Sequence, residues 1–201
     1  MRHRLLLWMC FMAACGSLLL GCARRRDDCS CFDEAGMRPV DPALLAFLSQ
    51  ARSAHRLADA AESRGDLPGA VRILEQWTEK PAPVGAPEVK EVQADTLARL
   101  ADLESRRERF DRADASIERG LSIVLEPTYF RGRLYEVRGL IEERRAAAMK
   151  SRGDLEQAEA ARQRALQALE MSMKIQSDVI EKSTRAHSKP VTTNPPADPK
   201  P

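Results

Sequence analysis

Apolar residues recur at intervals of three and four positions along most of the chain between residues 41 and 182, with charged residues between them. This spacing places the apolar side chains on one face of an α-helix. Asp41 followed by Pro42 predicts the start of the first helix, because aspartate caps a helix and proline fits its first turn. The pattern predicts an all-α chain with six helices, over about 42–64, 67–79, 87–107, 111–125, 128–150 and 154–182.

A short phrase marks three of the junctions between these helices. GDLPGA at residues 65–70 is followed by the similar ERFDRA at 108–113 and GDLEQA at 153–158. Gly65 and Gly153 can adopt the left-handed conformation that ends a helix. Asp66 and Asp154 can then cap the helix that follows. The three phrases, about 44 residues apart, predict three successive helix–turn–helix pairs.

The body of the chain resembles the tetratricopeptide repeat, a family of helix–turn–helix units that stack into a superhelix. Its repeat is longer, about 44 residues against about 34 in the family. The resemblance implies a short α-solenoid of about three pairs over residues 41–182. It rests on Leu57, Ala58, Gly65, Asp66, Ala70 and Leu74, then on Leu100, Ala101, Phe110, Ala113, Ile117 and Gly120, and last on Tyr135, Gly139, Ala158 and Ala165.

The same resemblance implies a binding groove, because such repeats usually meet their ligands on the face built by the first helix of each pair. A groove of mixed charge suits a protein segment better than an apolar small molecule. We therefore expect a protein partner. The candidate groove residues are Arg52, His55, Asp59, Glu62, Asp95, Asp102, Arg133 and Glu136, with Ala98, Ser105 and Glu143 at neighbouring positions.

The N-terminus has the pattern of an export signal. Arg2 and Arg4 precede an uncharged apolar stretch over residues 5–20, which is short for a bilayer span. Residues 19–22, LLGC, resemble the lipobox of bacterial lipoproteins. That resemblance implies cleavage after residue 21, acylation of Cys22 and anchoring of the protein in a membrane. Ala23 after the cysteine points to the outer membrane, with the protein facing the periplasm.

These patterns divide the chain into four parts. Residues 1–21 form the signal peptide, 22–40 a flexible tether, 41–182 the helical repeat domain and 183–201 a Pro-rich tail that we expect to be disordered. The tether contains Cys29 and Cys31, whose Cys-x-Cys spacing could hold a soft metal or form a strained disulfide. Two thiolates are an incomplete tetrahedral set. A thiol- or metal-handling envelope lipoprotein is therefore the alternative to a scaffold.

Charge and motifs narrow the range of functions. The chain has 32 Lys and Arg against 30 Asp and Glu, and the surplus lies in the export signal, which argues against a nucleic-acid binder. No phosphate-binding loop, HExxH or GxSxG motif is present. Glu142 to Arg145 are interpreted as a solvated charged face. We expect neither catalysis nor a cofactor.

Overall fold

The computed structural model describes residues 41–187. This part of the chain consists of α-helices joined by turns and short loops, with no strand. Asp41 caps α1 by accepting a hydrogen bond from the backbone N–H of Ala43 at 2.8 Å. Among the described residues, no helix is both long and apolar enough to cross a bilayer. The six helices are α1 (Pro42–Ser63), α2 (Leu67–Thr78), α3 (Pro87–Arg106), α4 (Phe110–Ile123), α5 (Tyr129–Ser151) and α6 (Leu155–His187).

The six predicted helices are confirmed, and most of their ends lie within two residues of the predicted ones. The exception is α6, which was expected to stop near residue 182 and runs on to His187. No proline or glycine interrupts this stretch. Arg185 pairs with Glu181 one turn earlier, which supports the last turns. The first residues of the expected tail are therefore helical, and the tail from 188 onwards lies outside the described residues.

The three phrases identified in the sequence form the same turn. The left-handed residues are Gly65 (φ 77°), Glu108 (φ 56°) and Gly153 (φ 88°). In the first turn, the N–H of Asp66 donates to the Ala61 carbonyl at 2.9 Å, and Arg109 and Asp154 make the equivalent bond in the other two. This is the Schellman arrangement, which pairs the last carbonyls of a helix. Each turn therefore closes one of three helical hairpins, α1–α2, α3–α4 and α5–α6.

The apolar core joins each hairpin to the first helix of the next. Leu100 and Leu103 of α3 pack with Leu74 of α2, and Leu134 of α5 packs with Ile117 of α4. Correspondingly, α3 contacts α1 and α2, and α5 contacts α3 and α4. The backbones of the two second helices α2 and α4 do not approach each other closely. Side chains link them instead, and Arg119 on α4 donates to the Thr78 carbonyl of α2 at 3.0 Å. The first helices α1, α3 and α5 therefore contact one another in chain order.

The last hairpin is held together by small residues. α6 buries Ala158, Ala161, Ala165 and Ala168 against α5. At Gly139 of α5, an added Cβ would lie 2.7 Å from Leu169 Cγ and 3.3 Å from the backbone oxygen of Ala165. The two helices thus approach too closely for a side chain at this position, because interiors are packed at crystal-like density.

Replacing Gly139 with alanine should lower the free energy of unfolding by about 1 to 2 kcal/mol, because overpacking outweighs the gain in helix propensity. Gly132→Ala in the same helix is the control. Its Cβ would meet only side-chain atoms of Gln176 and Ile175, at 3.0 Å or more. Urea unfolding followed by circular dichroism measures both. Equal effects of the two substitutions would contradict the close approach at Gly139.

Candidate functional site

The eight candidate groove residues lie on α1, α3 and α5, the first helices of the three hairpins. Six of them take part in hydrogen bonds or ion pairs that connect one first helix to the next. Three of the four arginines that make the ion pairs, Arg99, Arg106 and Arg144, were not among the candidates. We call this set of contacts the arginine ladder. It consists of Arg99, Arg106, Arg133 and Arg144, paired with Asp59, Glu62, Asp95 and Asp102.

Arg99 joins α3 to α1. Its guanidinium contacts Asp59 Oδ1 at 2.5 Å and Glu62 Oε2 at 3.4 Å. It also donates to the backbone oxygen of His55 at 3.2 Å. Arg106, two turns further along α3, pairs with Glu62 as well. One carboxylate therefore accepts from two arginines, and these hydrogen bonds, Arg106 first, hold the pKa of Glu62 below its ordinary value.

Arg144 and Arg133 join α5 to α3. Arg144 Nη1 lies 2.8 Å from Asp102 Oδ1 and donates to Ser105 Oγ at 2.6 Å. Arg133 Nε donates to Asp95 Oδ1 at 3.2 Å. Arg99 precedes the left-handed Glu108 by the same number of residues as Arg144 precedes the left-handed Gly153. The α3–α5 junction therefore reproduces the arginine-to-aspartate contact of the α1–α3 junction.

His55 is the titratable centre of the α1–α3 junction. Thr96 Oγ1 donates to the Val92 carbonyl at 2.8 Å, so it must accept from His55 Nε2, which lies 2.9 Å away. The other ring nitrogen, Nδ1, then accepts from Arg99 Nη1 at 3.3 Å. This arrangement requires a neutral imidazole. Burial lowers the pKa of His55 from its ordinary value of 6.5, and the positive charge of Arg99 lowers it further.

The remaining candidates lie outside the ladder's inter-helix pairs. Arg52 and Glu143 are exposed and make no ion pair within residues 41–187. Glu136 pairs only with Arg133 on its own helix, at 3.7 Å. Ala98 is buried in the core. The face therefore combines charges that are fixed by the fold with a few that are free to meet another molecule.

The interpretation of residues 142–145 as a solvated face is wrong. Glu142 is buried and pairs with Arg145 at 3.1 Å and with Arg164 at 2.9 Å. Arg145 also reaches Asp114 on α4.

The sequence does contain an indication of the arginine ladder. Arg99 and Arg144 occupy matching positions before the phrases ERFDRA and GDLEQA.

Glu104, at the end of α3, is the most buried carboxylate, with 1% of its surface exposed. Arg107 Nη1 lies 3.0 Å from its Oε2 and Arg112 Nη1 lies 3.6 Å from its Oε1. Arg112 also approaches Glu75 on α2 at 3.6 Å. These ion pairs tie α2, α3 and α4 together.

Two open surface depressions, of about 380 and 310 Å³, lie between α2, α3 and α4 and between α1 and α2. Within residues 41–187, no group of three or more His, Cys, Asp or Glu side chains is placed to hold a metal ion. Cys22, Cys29 and Cys31 lie outside the described residues. A broad polar face suits contact with a protein surface.

Replacing Arg99 with methionine should lower the free energy of unfolding by about 1 to 3 kcal/mol, because partly buried acceptors on α1 lose their donor. Arg56→Met is the matched control. Arg56 occupies the same position in α1, is exposed and has no ion-pair partner among the described residues. Its replacement should change stability by less than about 0.5 kcal/mol. Similar losses for both variants in urea titrations would contradict a stabilising role of the ladder.

Acidification should weaken the wild-type fold through His55. Its pKa is lower in the folded chain than the ordinary 6.5, so the unfolded chain binds the proton more readily. The stabilising contribution is complete above pH 6.5 and is lost as the pH falls through the folded-state pKa. Urea midpoints between pH 8 and pH 5 measure this. His55→Gln should flatten the slope over that range, and an unchanged slope would contradict the assignment. Glu62, lowered from 4.5, acts only at lower pH.

Comparison of the chain with protein-family models, with curated proteins and with solved structures found no match in any of the three. The function of the face formed by α1, α3 and α5 must therefore be inferred from its own geometry.

Proposed function

We propose that the protein is a lipid-anchored periplasmic scaffold, whose tetratricopeptide-like body presents a protein-binding face at the bacterial cell envelope. Support for such a stack comes from the order of helix contacts. α3 and α5 each lie against both helices of the hairpin before them, while the backbones of α2 and α4 do not approach each other closely. A stack of helix–turn–helix units makes contacts of this kind between neighbours.

The observation that carries the proposal is the arginine ladder. Because Arg99 and Arg144 hold consecutive first helices together, the face they share is rigid and its charges are fixed in place. Pre-organised polar groups lower the cost of ordering an interface. The side chain of Asp59 remains 63% exposed while paired, so ladder residues can still contact a partner. This face has both signs of charge and suits a mixed-charge protein segment.

The buried acids favour a binding role over a catalytic one. Glu104 and Glu142 each lie between two arginines. Both carboxylates are occupied in ion pairs that link neighbouring helices, Glu104 to Arg112 on α4 and Glu142 to Arg164 on α6. We therefore propose a protein without enzymatic activity or cofactor.

The anchor is the second half of the proposal. The lipobox-like residues 19–22 lead us to propose acylation of Cys22 and an outer-membrane location facing the periplasm. Two or more acyl chains are enough for stable attachment. The short tether of residues 22–40 would then keep the face near the membrane and raise its effective concentration toward an envelope partner.

The proposal is tested by crosslinking the full chain in the bacterial envelope and identifying captured proteins by mass spectrometry. The variant R52E/E143R reverses two exposed charges on the face and should reduce capture of a specific partner at least about threefold. The control R72E/E156R makes the same exchange at exposed positions on the second helices α2 and α6. Cys22→Ser should abolish palmitate incorporation and release the protein from the membrane.

Two results would contradict the proposal. Equal capture by both charge-reversed variants would separate partner binding from the face of α1, α3 and α5. Recovery of the wild type in the soluble periplasmic fraction would exclude the lipid anchor. The two arms are independent, so a scaffold without an anchor and an anchored protein with a different binding face are distinguished.

A further inference from the structure

α6 carries an apolar stripe that residues 41–187 leave open. Leu166, Met173 and Ile180 follow one another at intervals of seven residues and are 50%, 69% and 66% exposed. They lie beside the alanine face that packs on α5. Seven residues make about two helical turns, so the three side chains lie on one line along the surface of α6, and we call this line the seam. Exposed apolar side chains aligned in this way mark an interaction surface.

α6 is longer than α5, so the end of this stripe has no neighbouring helix among the described residues. α6 has 33 residues and α5 has 23. Gly132, in the first turn of α5, lies against Ile175 and Gln176. Residues beyond about 180 therefore run past the start of α5, so the seam ends, at Ile180, where α6 loses its neighbouring helix among the described residues.

The stripe is not prepared for a fourth hairpin stacked like the others. The position in α5 that matches Asp102 in α3 is Ala147, which offers no acceptor to an incoming arginine. The position in α6 that matches the buried Ile117 is Arg162, which is exposed and pairs with Glu159. The stack is therefore closed by polar and small residues near the α5–α6 turn. The seam begins only beyond them.

We propose that this seam pairs with the same helix of a second copy, in antiparallel orientation about a two-fold axis at Met173. In this register, Leu166 of each copy faces Ile180 of the other. Isologous pairing of one surface with itself is the commonest way to form a dimer. The pairing rests on the stripe alone and does not depend on the proposed scaffold function or anchor.

Charge complementarity supports the antiparallel register. It brings Lys174 of each copy beside Glu170 of the other. Both side chains are exposed, on the flank of the seam that faces away from α5. Opposite charges that flank an apolar seam select the partner and its orientation. A two-fold axis makes this contact twice.

The test is sedimentation equilibrium of the full chain in density-matched detergent. The wild type should show a reversible monomer–dimer equilibrium. Met173→Glu places two like charges at the two-fold axis and should raise the dimer dissociation constant at least about tenfold. Leu57→Glu is the matched control. Leu57 on α1 is 60% exposed, so the same substitution away from the seam should leave the dimer intact.

Charge reversal tests the register. Lys174→Glu alone and Glu170→Lys alone should each raise the dissociation constant roughly threefold. The double variant K174E/E170K should return it to the wild-type value, because the cross-copy pair is restored with its signs exchanged. These exposed positions also give a test if Met173→Glu fails to fold.

A wild type that sediments as a monomer at every concentration would overturn the proposal. So would a dimer that survives Met173→Glu as well as it survives Leu57→Glu, since the contact would then lie elsewhere. A double charge reversal that weakens association more than either single change would overturn the antiparallel register.

Discussion

The arrangement of the described chain depends on one contact that is made twice, an arginine reaching back from a first helix to an aspartate on the first helix before it. Arg99 contacts Asp59, and Arg144 contacts Asp102. Small buried residues such as Ala58 and Ala101 permit close approach of the helices at these junctions. Apolar packing alone would permit one helix to slide along the next. A charged pair at a defined position removes that freedom, because displacement would leave partly buried charges without partners.

The order of helices and hairpins could be predicted from the sequence because each depends on local chemistry. Apolar spacing, the cap at Asp41 and the prolines of residues 79–87 act within a few residues of one another. The middle turn is harder to predict from the sequence. Glu108 takes the left-handed conformation that Gly65 and Gly153 take in the other two turns, and a glutamate gives little local indication of it. The flanking helices impose that conformation, so it is a tertiary effect.

The candidate residues lie on the first helices of the three hairpins, but their contacts were only partly anticipated. The resemblance identified positions on one side of each helix, and acids at those positions were expected to face a ligand. Most of them face arginines of the next helix instead. The charge of a residue is visible in a sequence, whereas the partner that neutralises it depends on how two helices are aligned. Glu142 illustrates the same limit, because its burial follows from the close packing of α5 on α6.

The direction of the arginine contact makes the three hairpins unequal as building units. The middle hairpin carries both halves, with Arg99 for the helix before it and Asp102 for the helix after it. Arg56 of the first hairpin is exposed and has no ion-pair partner within residues 41–187, and the last hairpin has Ala147 where the acceptor would be. Within residues 41–187, the middle hairpin is therefore held through this contact on both sides, whereas each outer hairpin is held through it on one side.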